Sequence, residues 1–361
     1  MNSMMINKRL IIYCIIFIFL CLFSIFRFED GKVGDFLVTN YDELRYLLAT
    51  DNIIQDTKVY GIIYTLENFY NYTQSVHFLH YFVLSFFRYF FNDSMVVWSL
   101  YQLSIYTLGC YFFGKFIRLE YDFISTNEEF LATVLMLLYP VFYFLTFSLM
   151  RDIAIFSLLS ICLYFYKSNN YKLLILFIFV ISLYRLNMML CILVYILIDQ
   201  FRDRSILSIL KYLILSALIL FVVDKVSINF LSRHLSRIYE FNFLGLINEV
   251  LVFLLSPLPF SVDQSLPQYL RFWFMISFWL CVFLIFIYII FIIKKKNIQL
   301  VLGAPIIGMS LFYIATYSIE AGIGFRQSSI LLPFIYIPIF LYFIKQFIPV
   351  KSYVNFKGTN E

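Results

Sequence analysis

Arg185 interrupts the run LLILFIFVISLYRLNMMLCILVYILI at residues 173–198, which is otherwise almost wholly apolar. A guanidinium in hydrocarbon is costly, so its presence implies either a polar surround or a negative partner. Arg151, in FLTFSLMRDIAIFSLL, and Arg326, in AGIGFRQSSILLPF, share the setting of a lone arginine at the edge of an apolar run. Gly322 and Gly324 loosen the backbone just ahead of Arg326 and permit close approach to a ligand. Arginine keeps its charge and presents a planar fork that gives paired hydrogen bonds to phosphate oxygens. Three such residues at the ends of apolar runs suggest a site for a diphosphate. Each also fits an arginine that merely reaches toward an interface. Arg233 and Arg237, in LSRHLSRIYEF, share a helix face and are either further anion ligands or a solvated surface.

Acid–base chemistry has fewer candidates. Asp42 and Glu43, in GDFLVTNYDELRYLLA, either supply a general base or solvate the start of an amphipathic helix over 41–49. Asp152 either pairs with Arg151 or caps the helix that follows it. His77, His80 and His234 have no acidic or thiol residue nearby at ligand spacing, so no metal and no cofactor is expected. The six cysteines all lie in apolar runs and none forms a C-x-x-C pair. There is no nucleotide-binding glycine motif, which removes an ATP-driven pump from consideration.

The elements that must hold these residues follow from composition. Of 361 residues, 62% are hydrophobic and 14% charged, far from the balance of a soluble domain. The expected class is all-α: a single polytopic integral membrane domain over 1–361, with about ten transmembrane helices. The net charge of +5 is spread over loops, so nucleic acid is not an expected partner, whereas membrane lipids are.

Lysine and arginine orient the spans. The apolar run Leu10–Phe26 follows Lys8 and Arg9 and lacks a cleavage site, so it reads as a retained first span. Further spans are expected at 95–114, 130–147, 152–166, 206–223, 271–293, 298–318 and 328–345, with both termini cytoplasmic. Two larger segments, at about 27–94 and 224–269, fall on the outer side, and residues 76–91 read as an interfacial helix there. Lys172 on one flank and Arg202 with Arg204 on the other make the Arg185 run a hairpin with Arg185 at its outer tip. Each arm, about 13 residues or roughly 20 Å, is shorter than a hydrocarbon core of roughly 30 Å. The tip should therefore lie below the surface, in the wall of a wet, outward-facing cavity.

An outer Y-D-E-L after the first span, the SLMRD turn after a proline-bearing span, the LLSPLPF segment, a tryptophan-bearing span, a lysine run and the late FRQSSILLPFIYIP together resemble a known group. They are similar to the Wzy-type O-antigen and repeat-unit polymerases, within or near the GT-C integral-membrane glycosyltransferases. The resemblance implies a multi-pass protein of the bacterial inner membrane, active at its periplasmic face. It implies a metal-independent transfer that joins undecaprenyl-diphosphate-linked oligosaccharides, acting as donor and acceptor, into O-antigen or a related polysaccharide. It implies a chain-length regulator protein as a partner. Carried onto this chain, it makes Arg151, Arg185 and Arg326 ligands of the diphosphate, with Arg233 and Arg237 as helpers, and Asp42 or Glu43 the base. Two other functions compete. A GT-C enzyme adding single sugars should carry a larger outer domain, and a flippase should show internal repeats; neither feature is found.

Overall fold

A computed structural model describes residues 2–29, 31–33, 35, 40–73, 78–201, 243–256, 268–293, 303–320 and 325–347. Among these the protein is all-α, with one isolated bridge, Lys32 to Ser94, as its only strand-like pairing. The expected span 206–223, Arg233, Arg237 and most of the second outer segment lie outside the described residues.

The chain opens with α1 (Asn2–Phe28). Four helices follow as a cap: α2 (Asn40–Tyr60), α3 (Ile62–Glu67), α4 (Phe69–Thr73) and α5 (Phe78–Phe90). The bundle continues with α6 (Met95–Glu120), α7 (Thr126–Leu137), α8 (Pro140–Leu145), α9 (Asp152–Lys167), α10 (Tyr171–Tyr184) and α11 (Leu186–Phe201). It ends with α12 (Phe243–Leu254), α13 (Gln268–Ile293), α14 (Ala304–Glu320) and α15 (Phe325–Phe347). By length and composition, Arg9–Phe28 and Arg326–Gln346 are long and apolar enough to cross a membrane. Shorter apolar helices cover Tyr171–Tyr184, Leu186–Phe201, Met275–Ile290 and Ala304–Thr316.

Local chemistry sets the boundaries. Ser94 caps α6 by accepting from the Val97 amide. Ser125 and Glu128 form a capping box at the start of α7. Asn169 turns left-handed, with φ of 57°, to end α9, and Asn170 caps α10 at once. The expected single span over 130–147 is instead two helices, because Pro140 has no amide to donate and disfavours helical geometry at Tyr139.

Helix α6 is the spine. It packs closely on α9 and α7, and aromatic rings fill the space around them: Phe156 lies 4.6 Å from Phe142 and 5.9 Å from Phe113, which lies 5.0 Å from Phe334. Helices α6 and α9 approach tightly at Gly109, where a Cβ would come within 2.7 Å of the Ser157 Cα. Small residues allow this backbone-to-backbone contact.

Polar side chains collect at the two ends of the bundle. At one end Lys167 bridges Glu120 and Asp199, each at 2.8 Å, and Lys115 and Arg118 meet Glu129 at 2.7 and 2.9 Å. Lys345 donates to the Phe123 carbonyl there. At the other end stand Asp42, Glu43, Asp152, Arg185 and Arg326. Helix α9 runs from one cluster to the other, a distance of roughly 22 Å.

Substituting Gly109→Ala should push α6 from α9 and destabilise the protein by about 1–3 kcal/mol. Thermal unfolding in detergent will read this as a lowered midpoint. An unchanged midpoint would mean that the helices do not touch at Gly109.

Candidate functional site

The site is built on the connection between α8 and α9. Residues 146–150 are almost entirely buried, so their backbone polar groups need partners from within the protein. Three helices and the loop itself supply them. Trp98 Nε1 donates to the Ser148 carbonyl at 2.9 Å, and Gln102 Nε2 donates to that of Met150 at 3.0 Å, both from α6. His80 Nε2, from α5, lies 2.9 Å from the Leu149 carbonyl. The Leu149 amide donates to Glu43 Oε1, from α2, at 2.8 Å. The Met150 amide donates to Ser148 Oγ at 3.2 Å. This frame fixes Arg151, which sits at the N-cap position of α9 with φ of −80° and ψ of −5°.

Since a carbonyl only accepts, His80 must carry its proton on Nε2. Burial, and then the Arg151 charge, push its pKa down to about 3, against the pull of the Leu149 carbonyl. The ring is therefore neutral at physiological pH.

Two ion pairs close the site. Arg326 Nη2 meets Asp42 Oδ2 at 2.7 Å, and its other arm reaches the Met150 sulfur at 2.7 Å. Arg185 Nη1 stands 3.8 Å from Asp152 Oδ1, with both side chains nearly buried. Arg151 is close enough to interact electrostatically with Arg185, His80 and Tyr313, yet among the described residues its side chain forms no ion pair. The Tyr313 hydroxyl, near Arg185 and Asp152, donates to the Gln327 carbonyl at 3.0 Å and ties α14 to the start of α15.

The structure thus gathers Arg151, Arg185, Arg326, Asp42 and Glu43 at one end of the bundle; Arg233 and Arg237 lie outside the described residues. Three expectations change. Arg185 is not in an open wall: it is buried, 8% exposed, against Asp152. Asp152 pairs with Arg185 rather than Arg151, and it also begins α9, where the helix dipole favours a carboxylate. Glu43 is fully buried on the Leu149 amide, so it holds the loop, and Asp42, whose side chain is 41% exposed, is the carboxylate open to solvent.

Sequence reasoning passed over His80, Trp98 and Gln102 as positioning residues. Only Gln102, a lone amide in LYQLSIY, carried a signal. Among the described residues no group of three His, Cys, Asp or Glu gathers as a metal would need. Chemically, the arrangement gathers three guanidinium groups at the end of an apolar bundle, Arg185 buried on Asp152 and Arg326 held by Asp42, with one accessible carboxylate beside them. In comparisons with family models, curated proteins and solved structures, nothing matches this chain.

Arg185→Gln removes the cation paired with Asp152 and leaves it the neighbouring Arg326 charge, a loss of about 3 kcal/mol. Adding Asp152→Asn removes the buried negative charge and should recover a substantial part of the unfolding midpoint. A double variant no more stable than Arg185→Gln would show that the pair is not coupled.

His80 gives a pH signature. Its folded pKa lies below the unfolded value of about 6.5, so the unfolded chain takes up the proton first as pH falls. Stability attributable to His80 is full above about 6.5 and is lost progressively down to about 3, roughly 2 kcal/mol between pH 7 and pH 5. His80→Gln keeps an N–H donor and should lose this component, so its stability relative to wild type should rise by that amount over the same interval. A pH-independent difference would contradict a neutral buried histidine.

Proposed function

We propose that this chain is a multi-pass membrane glycosyltransferase that joins undecaprenyl-diphosphate-linked oligosaccharide units into O-antigen or a related surface polysaccharide. The observation that carries this reading is the convergence of Arg151, Arg185 and Arg326 at one end of an apolar helical bundle, beside the accessible carboxylate of Asp42. In this reading α1, α6, α7 with α8, α9, α10, α11, α13, α14 and α15 cross the bacterial inner membrane. The Lys167 end faces the cytoplasm, in keeping with its basic residues, and the Arg185 end faces the periplasm. Charge sorted to two ends roughly 22 Å apart, with aromatic and aliphatic packing between, is what a bilayer demands of a bundle.

The substrate class follows from where the arginines sit. A polyprenyl tail belongs in lipid, a diphosphate at its edge and sugars in water, and the site spans that boundary. The guanidinium forks hold the donor's diphosphate and stabilise the negative charge that grows on it as it departs. Asp42 is the group within reach to take the acceptor hydroxyl's proton. Sugar rings have exposed aromatic faces on the cap to stack on, at Tyr60, Tyr64 and Tyr70. The donor and acceptor are both lipid-linked glycans, and a chain-length regulator protein is the expected partner.

Deletion of the gene should leave lipopolysaccharide core bearing a single repeat unit. Core with no repeat would indicate a flippase, and a full ladder with shifted spacing would indicate a decorating enzyme. Arg151 is the cleanest residue to test, since no carboxylate depends on it among the described residues. At matched protein levels Arg151→Ala should abolish the ladder. Arg151→Lys keeps the charge but loses the fork, a charged hydrogen bond of about 1.5–3 kcal/mol, so chain formation should slow roughly 10- to 100-fold. A normal ladder from Arg151→Ala would overturn the diphosphate role.

A further inference from the structure

The three arginines of the site stand among three carboxylates, so their formal charges cancel. A diphosphate diester adds two negative charges, and the site accepts them best if one carboxylate withdraws. The three differ sharply in their freedom to do so. Glu43 is fully buried and holds the Leu149 amide at 2.8 Å, and the Asp152 side chain is 5% exposed. Asp42 is 41% exposed, in the first turn of α2, and its ion pair with Arg326 is correspondingly weak and open to water. Arg326, 17% exposed, keeps its place through the start of α15, its second contact on Met150 and the neighbouring charge of Asp152.

We infer that Asp42 is a displaceable latch: a lipid diphosphate takes the Arg326 fork from it, and the freed carboxylate then serves as the base. This rests on the diphosphate-lipid reading above and adds an order of events to it. While Arg326 holds Asp42, the carboxylate is spoken for and no base faces the acceptor. Once the donor's diphosphate engages Arg326 in paired hydrogen bonds, Asp42 turns to the aqueous side. There its Oδ takes the proton of the acceptor sugar's hydroxyl. That oxygen forms the new bond to the donor's anomeric carbon, the bond from this carbon to the diphosphate oxygen breaks, and the diphosphate leaves with the electron pair. The latch ties the base to the presence of the donor, so an acceptor or water meeting the site first finds no base.

The test uses the purified full chain in detergent, with geranylgeranyl diphosphate as the probe and geranylgeraniol as its uncharged control. Affinity is read from the probe's effect on the unfolding midpoint, and polymerisation from the ladder in cells. Asp42→Asn removes the competitor and the base together. It should bind the diphosphate about two- to fivefold more tightly than wild type while losing the ladder. In an Arg326→Gln background the same substitution should give no tightening. Unchanged or weaker binding by Asp42→Asn, at a normal unfolding midpoint, overturns the latch and leaves the diphosphate reading standing. No binding of the diphosphate beyond that of geranylgeraniol, by wild type or by Asp42→Asn, overturns both.

Discussion

A loop inside a protein must find a partner for every backbone amide and carbonyl it buries, and residues 146–150 show what meeting that constraint entails. The partners come from three separate helices: Glu43 from the cap, His80 from the helix that closes it, Trp98 and Gln102 from the spine. Removal of any one leaves a buried polar group unsatisfied, a cost of about 1–3 kcal/mol. The constraint therefore reaches well beyond the loop. It docks the cap onto the bundle, and it fixes the first turn of α9 and with it Arg151 and Asp152. Arg185 then pairs with Asp152 at the start of α9, and Arg326 with Met150 of the loop and with Asp42.

The cap itself is held by a second buried charge. Arg88 donates to the Leu47 carbonyl at 3.0 Å, and it meets Asp51 at 2.7 Å and Asp93 at 2.5 Å. One guanidinium thus joins α2, the end of α5 and the turn before α6. The outer faces of the cap helices mix apolar and polar side chains: Ile62, Ile63, Phe86 and Phe90 are exposed, and so are Arg45, Gln55 and Lys58. A mixed surface of this kind suits a structure resting at a lipid boundary, as the proposed function requires.

Much of the site was legible in the sequence because its chief residues are charges in apolar surroundings, where a charge is costly and needs a reason. Arg151, Arg185 and Arg326 stood out on that ground, although the same cost left open whether Arg185 met a polar surround or a negative partner, and the short hairpin arms pointed to a wet cavity wall instead of Asp152. The identity of the partner was not legible, since Asp152 adjoins Arg151 in sequence and only the closing of the α10–α11 hairpin brings it to Arg185. Glu43 and Asp42 are neighbours of like chemistry, and which one is buried depends on the rotation of α2, which a weakly patterned helix does not reveal. His80 and Trp98 bond to backbone carbonyls, which every residue carries, so no pairing of residue types announces them. The start of α6 matched the span expected from 95, whereas α7 and α10 begin a few residues ahead of the apolar runs that marked them, at the caps Ser125 and Asn170. The break before Pro140 was hidden by the apolar run on both sides of it.

The α10–α11 hairpin is pinned to α9 at both of its extremities. At its base Lys167 grips Asp199 and Glu120, and at its tip Asp152 faces Arg185. Two fasteners on one helix, fifteen positions apart in sequence, act like the two marks of a vernier. A single residue inserted in α10 turns the remainder by about 100° and advances it about 1.5 Å, so one mark aligns only when the other does not. The separation of the two fasteners is therefore a constraint on helix length: an insertion or deletion in α9, α10 or α11 loosens one grip unless a second change in length restores the register.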